Sequence, residues 1–185
     1  CAGNLEKIKK TILEASSNKE VEIIVIPDMI GIDLGESLRR VTQQTIDDML
    51  FQIQKFACQV NPKLTVVVGH PSYQSSSDRS YRYYQSASVI HSGKILTQFH
   101  ADEIDNNRGE LGACYDTRTF QEYKQDQFPI EINGTSYYVV IGESTFDKIS
   151  SNTNIIHIGA MESIDQLRIV KDMMNQNKKL AISVN

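Results

Sequence analysis

The sequence predicts one mixed α/β domain folded as a layered sandwich. Stretches with helical periodicity alternate with short β-branched runs, hairpin-type turn signals separate strand pairs, and no internal repeat is present. Strands and helices intermixed in this way favour packed layers over a bundle or an all-β barrel. The chain has 185 residues, enough for one domain to bury a sizeable core.

Leu5, Ile8, Ile12, Leu13 and Ala15 recur at helical spacing, and Asn18-Lys19 breaks the pattern. The run Val21 to Ile26 then reads as a buried strand ended by Pro27, which sets Asp28 just beyond a strand's carboxyl end, where open α/β sheets place ligands. From Glu36 to Val60, Leu38, Val41, Thr45, Met49, Ile53, Phe56 and Ala57 outline a second amphipathic helix, closed by Asn61-Pro62. Leu64 to Val68 reads as a strand ending in Gly69-His70-Pro71, and Ser72 to Ser80 as a polar, disordered loop.

Ser86 to Ile90 and Lys94 to Phe99 flank the turn His91-Ser92-Gly93. Residues Ala101 to Gln127 are charged and weakly periodic, and so long an irregular segment inside a domain is expected to border a site. Ile130 to Ile132 and Tyr137 to Ile141 form a second hairpin around Asn133-Gly134. Ile155 to Ile158 is a buried strand, Ser163 to Asn177 a helix, and Leu180 to Val184 a closing strand.

Net charge is −4 and the isoelectric point about 5.6, which argues against a general affinity for nucleic acid. The densest cationic run, Lys7-Lys9-Lys10, is interleaved with Ile8 and Ile12 and reads as the wet face of a helix. Cys1, Cys58 and Cys114 are odd in number and widely spaced, so neither a disulfide framework nor a zinc site is expected. His70, His91, His100 and His157 have no metal-like spacing and read as satisfied or solvent-facing side chains. No apolar run reaches the roughly 18 residues that span a bilayer, and no signal-peptide pattern opens the chain. A cytoplasmic protein without membrane partner, metal or cofactor is expected, with Asn133-Gly134-Thr135 an ordinary turn.

Several segments in order resemble the carbon-nitrogen hydrolase (nitrilase) superfamily, most of all the glutaminase domain of glutamine-dependent NAD⁺ synthetases. Ala2-Gly3-Asn4-Leu5 with its lysine-rich helix is similar to the family's first helix, and Ile23 to Pro27 with Asp28 to the strand that ends in Pro-Glu. Val66 to Pro71 is similar to the synthetase-type strand, and Tyr84 to Ile90 with Gly93-Lys94-Ile95 to its Tyr-Asn-Ala-Ala hairpin. Asp116-Thr117-Arg118-Thr119-Phe120 resembles an acid-x-Arg-x-Phe element, Val139 to Glu143 the strand ending in Cys-Glu, and Leu180 to Asn185 the later strand ending in Val-Asn. The resemblance implies an α-β-β-α nitrilase-like sandwich, here without the family's opening strand and later strands, as in a fragment or a trimmed relative.

It also implies a triad of carboxylate, lysine and cysteine, for proton transfer, oxyanion stabilisation and nucleophilic attack. The matching positions hold Asp28, Ala101 and Gly142. Gly142 has no nucleophile, Ala101 can neither donate a hydrogen bond nor carry charge, and Asp28 is one methylene shorter than glutamate. Asp116 and Glu143 keep acids where the family has them. The expected function is a non-catalytic glutaminase-like domain of an NAD⁺ synthetase with a structural role, partnered by an ATP-binding synthetase domain and by copies of itself through the helix after Gly142 and Ser163 to Asn177. Two alternatives stay open: an active amidase with a relocated nucleophile at Cys114 or Ser144, and a module that binds a small ligand in the old pocket.

Overall fold

Helical and extended segments follow one another much as the periodicity predicts. The computed structural model describes residues 2–26, 43–75, 81–102, 121–142, 149–158, 171 and 179–184. Two helices, α1 (Ala2–Ser16) and α2 (Gln43–Val60), accompany eight strands among these residues. The first four are β1 (Ile23–Ile26), β2 (Thr65–Ser75), β3 (Tyr81–His91) and β4 (Lys94–His100), and they form one sheet in that order. The others, β5 (Ile130–Ile132), β6 (Thr135–Ile141), β7 (Asn154–Ile158) and β8 (Lys179–Val184), form a second sheet in chain order.

In the first sheet β1 runs parallel to β2, and β2, β3 and β4 are antiparallel neighbours. In the second, β5 and β6 form a hairpin while β6, β7 and β8 are parallel. Period-two alternation divides the core into two layers. Val66 and Val68 of β2 join Ile26, Ile90 and the helix residues Ile8, Ile12, Ile46, Leu50, Ile53 and Ala57. Val67, between them, joins Ala87, Val89, Phe99, Val139, Ile141, Ile156 and Ile158 between the sheets. The helices therefore cover one face of the first sheet, and the second sheet covers the other. Each such aliphatic side chain removed from water contributes about 1.5–3 kcal/mol before conformational entropy is set against it. On the wet face of α1, Lys9 pairs with Glu6 at 3.0 Å and Lys10 lies 3.8 Å from Glu14, as the cationic run predicted.

Both hairpin turns use the chemistry that the sequence advertises. Ser92 and Gly93 (φ 49° and 71°) and Asn133 and Gly134 (φ 50° and 77°) take the left-handed conformations that a two-residue hairpin loop requires.

One expectation is corrected. β2 does not end at Gly69-His70-Pro71; it continues to Ser75, and β3 begins at Tyr81, so Ser72 to Ser75 belong to a long hairpin rather than to a loop. Proline is tolerated there because β1 pairs with β2 only as far as Val68, which leaves one edge of β2 without a β1 partner at Pro71. Residues 36–42, and all of Ser163 to Asn177 except the helical Lys171, lie outside the described residues. No helix among the described residues is long and apolar enough to cross a membrane.

Candidate functional site

Of the three positions singled out as a former triad, Ala101 and Gly142 are described, and Asp28 lies outside the described residues. So do Asp116, Cys114, Glu143 and Ser144. Ala101 follows the last residue of β4, and Gly142 follows the last residue of β6. The two strands lie in facing sheets, and both residues lie beside Gln85 of β3. The Ala101 N–H donates to the Gln85 carbonyl at 2.9 Å. A Cβ built on Gly142 would lie 4.0 Å from Gln85 Oε1 and meet nothing nearer.

Gly142 has a φ of 69°. Only glycine takes this conformation freely, so the chain turns out of β6 through a left-handed elbow. Strand β7 holds that elbow from one side. The Gly142 N–H donates to the Ile158 carbonyl at 2.9 Å, and His157 Nε2 lies 2.9 Å from the Gly142 carbonyl, to which it donates. Burial favours the neutral ring and holds the His157 pKa below its usual value, although this hydrogen bond raises it.

Ala101 is fully buried among Phe99, Val67 and their neighbours between the sheets. Its carbonyl accepts from the Tyr123 N–H at 2.9 Å, and Gln121 N–H donates to Tyr83 O at 2.8 Å, so residues 121–123 are laced to the ends of β3 and β4. Position 101 thus holds a methyl group inside an apolar layer, and position 142 a glycine with open space in front of it. Neither position carries a thiol, hydroxyl or ammonium.

On the opposite, helix-facing side of the first sheet lies a polar network that the sequence reading missed. His70 Nε2 is 2.7 Å from Ser88 Oγ, to which Gln98 also donates at 3.1 Å. Ser86 Oγ sits 2.6 Å from Ser72 Oγ and 2.8 Å from His100 Nδ1. Burial lowers the His70 pKa, opposed by a hydrogen bond with Pro71 O and by Asp47. Burial, helped by His70, lowers that of His100 to about 4. His91 is likewise satisfied, by Thr65 Oγ1 at 3.0 Å. No group of three or more metal-type side chains occurs among the described residues. A strand-parity count would have exposed the network, since Ser86 and Ser88 share a face with the buried Ile90.

No protein-family profile and no curated protein sequence matches the chain. Solved structures do. The glutamine-dependent NAD⁺ synthetase of Acinetobacter baumannii, in complex with adenosine diphosphate, superposes with a TM-score of 0.69 at 19 % identity, over 97 % of this chain and 35 % of that one. A cysteine-to-alanine variant of the amidase of Nesterenkonia sp. AN1, in complex with butyramide, superposes with a TM-score of 0.73 at 12 % identity, over 98 % of this chain and 70 % of that one. The same cysteine variant is described as an amidase from the nitrilase superfamily. The chain has the carbon-nitrogen hydrolase fold. A glutamate-to-glutamine variant of the amidase, carrying the acetamide moiety of fluoroacetamide on its active-site cysteine, matches with a TM-score of 0.70 at 13 % identity. At these identities the likeness concerns the nitrilase-type backbone alone, and the chain spans about a third of the synthetase it matches.

Proposed function

We propose that this nitrilase-like domain is a degenerate, non-catalytic glutaminase-type domain with a structural role in an NAD⁺ synthetase. The observation that carries the reading is Gly142: the elbow after β6 keeps its left-handed turn, its two hydrogen bonds to β7 and its open space, but has no side chain to attack a carbonyl. Ala101 supports it, because a buried methyl group cannot stabilise an oxyanion. Loss of a single triad member commonly removes several orders of magnitude of rate, and here two positions lack their functional groups.

The test is ammonia release from glutamine and from butyramide by the purified chain. Background rates are expected with both. Turnover above background overturns the reading, and Cys114→Ala and Ser144→Ala would then show which group serves as nucleophile. The structural role has its own measurement, since light scattering at micromolar concentration should find a homo-oligomer, and a monodisperse monomer would remove the oligomerising part of the proposal.

A further inference from the structure

A cavity of about 390 Å³ opens between residues 123–129 and the second sheet, lined by Asp102, Tyr123, Asp126, Phe128 and Tyr138 among others. Neither Gly142 nor Gln85 lines it, so it is separate from the elbow. Its wall is fixed rather than loosely draped. The Tyr123 N–H holds Ala101 O, and Gln127 brackets His100, its Oε1 accepting from the backbone N–H at 2.6 Å and its Nε2 donating to the carbonyl at 2.8 Å. Most polar groups of the wall are spoken for: the Tyr123 hydroxyl donates to Gln125 Oε1 at 2.9 Å, and Lys124 pairs with Glu122.

Asp102 holds the buried exception among the described residues. Its Oδ1 is shut off from solvent and has no hydrogen-bond partner. An ionised carboxylate only accepts, and leaving one of its oxygens dry and unpaired is costly. The Tyr138 hydroxyl stays protonated, its pKa pushed up to about 12 by burial and by the Asp102 charge. Rotation about χ2 of aspartate is soft, so either oxygen can be presented to the cavity.

We propose that this cavity binds a small organic molecule carrying a primary ammonium group, with Asp102 as the anionic acceptor and the aromatic rings of Tyr123, Phe128 and Tyr138 around the cation and its apolar body. An organic cation is favoured over a metal ion, because aromatic faces attract ammonium groups and no metal-type cluster occurs among the described residues.

Phenethylammonium is the probe, with 2-phenylethanol as its neutral isostere and Mg²⁺ as the competing cation, each titrated into the full chain and followed by backbone amide NMR shifts. Saturable shifts confined to residues 121–129 and around Tyr138 are expected with the ammonium. They should require about tenfold more ligand in Asp102→Asn, and 2-phenylethanol should not reproduce them. Absence of saturable shifts, equal binding by Asp102→Asn, equal binding of the alcohol, or tighter binding of Mg²⁺ at the same residues each overturns the proposal. If Asp102→Asn does not fold, Phe128→Ala replaces it. Phe128 is 74 % exposed, so its truncation leaves the core intact, and it must weaken ammonium binding several-fold or the site is wrong.

Discussion

Gln85 Oε1 faces the bare α-carbon of Gly142, 4.0 Å from where a Cβ would stand. That space makes positions 142 and 101 unequal. Gly142→Ala adds a Cβ that meets no obstacle and is opposed only by its φ of 69°, a cost of about 1 kcal/mol, which in a chain of this size lowers the Tm by roughly 2–4 °C. Ala101→Lys instead thrusts an ammonium into the apolar layer around Phe99 and should cost several kcal/mol. Thermal melts of the two variants check the order, and Ala101→Lys should be the less stable by a clear margin. Equal losses would mean that Ala101 borders a polar space.

A second prediction concerns pH. The His100 imidazole has a folded pKa of about 4, against about 6.5 in the unfolded chain. Between these values the unfolded state binds the extra proton, so the contribution of His100 to stability is fully present above about pH 6.5 and is lost as pH falls towards 4. His70 and His157 act in the same direction, since burial lowers both. NMR titration should give a His100 midpoint near 4, and denaturation of His100→Asn should depend less steeply on pH across this window. A midpoint near 6.5 would show that the ring is open to water.

The hairpins and the helices were legible because their signals are local. Asn133-Gly134 and Ser92-Gly93 carry the positive φ values of their turns in their own residues, and apolar spacing marks α2 as a helix. Its inward stripe, expected over Thr45 and Met49, runs instead through Ile46 and Leu50, buried beside Ile53 and Ala57, while Thr45 is exposed and Met49 half-buried. The length of β2 was not legible. Ser72 pairs with Tyr84 and Pro71 with Gln85 across a long hairpin, and nothing within a serine-rich stretch that follows a proline reports a partner strand. Ala101 and Gly142 were singled out by the family resemblance, whereas Gln85, which sits beside both, hides as a polar residue on the inward face of Ala87 and Val89. Asp102 escaped for a related reason: an acid at a loop start reads as solvated until the fold closes over it.

The third prediction tests the buried hydroxyls. Ser86→Ala leaves the buried Ser72 hydroxyl and the half-buried His100 Nδ1 each short of a partner, a loss of about 1–3 kcal/mol. Ser72→Ala removes one end of the same chain. Because either change already breaks the Ser72–Ser86 contact, the double variant should be destabilised by less than the sum of the singles. Urea denaturation of the four proteins yields this coupling, and strict additivity would mean that the two hydroxyls are satisfied independently.

The last prediction separates backbone strain from crowding at two glycines with nearly the same conformation. Gly134 (φ 77°) has nothing within 4 Å of the point where a methyl group would stand, so Gly134→Ala carries only the left-handed cost of about 1 kcal/mol. Gly93 (φ 71°) adds a clash, since its Cβ would lie 2.8 Å from Cys58 Sγ and 3.1 Å from Cys58 Cβ. Gly93→Ala should therefore be the more destabilising, and it should also disturb the hydrogen bond from Gln54 Nε2 to the Gly93 carbonyl. Cys58→Ala removes the nearer atom but leaves the Cβ. In the Gly93→Ala background it should restore part of the loss, down to the level of Gly134→Ala at best. If Cys58→Ala gives no rescue, the turn has moved away from α2 and the crowding is not what makes position 93 intolerant.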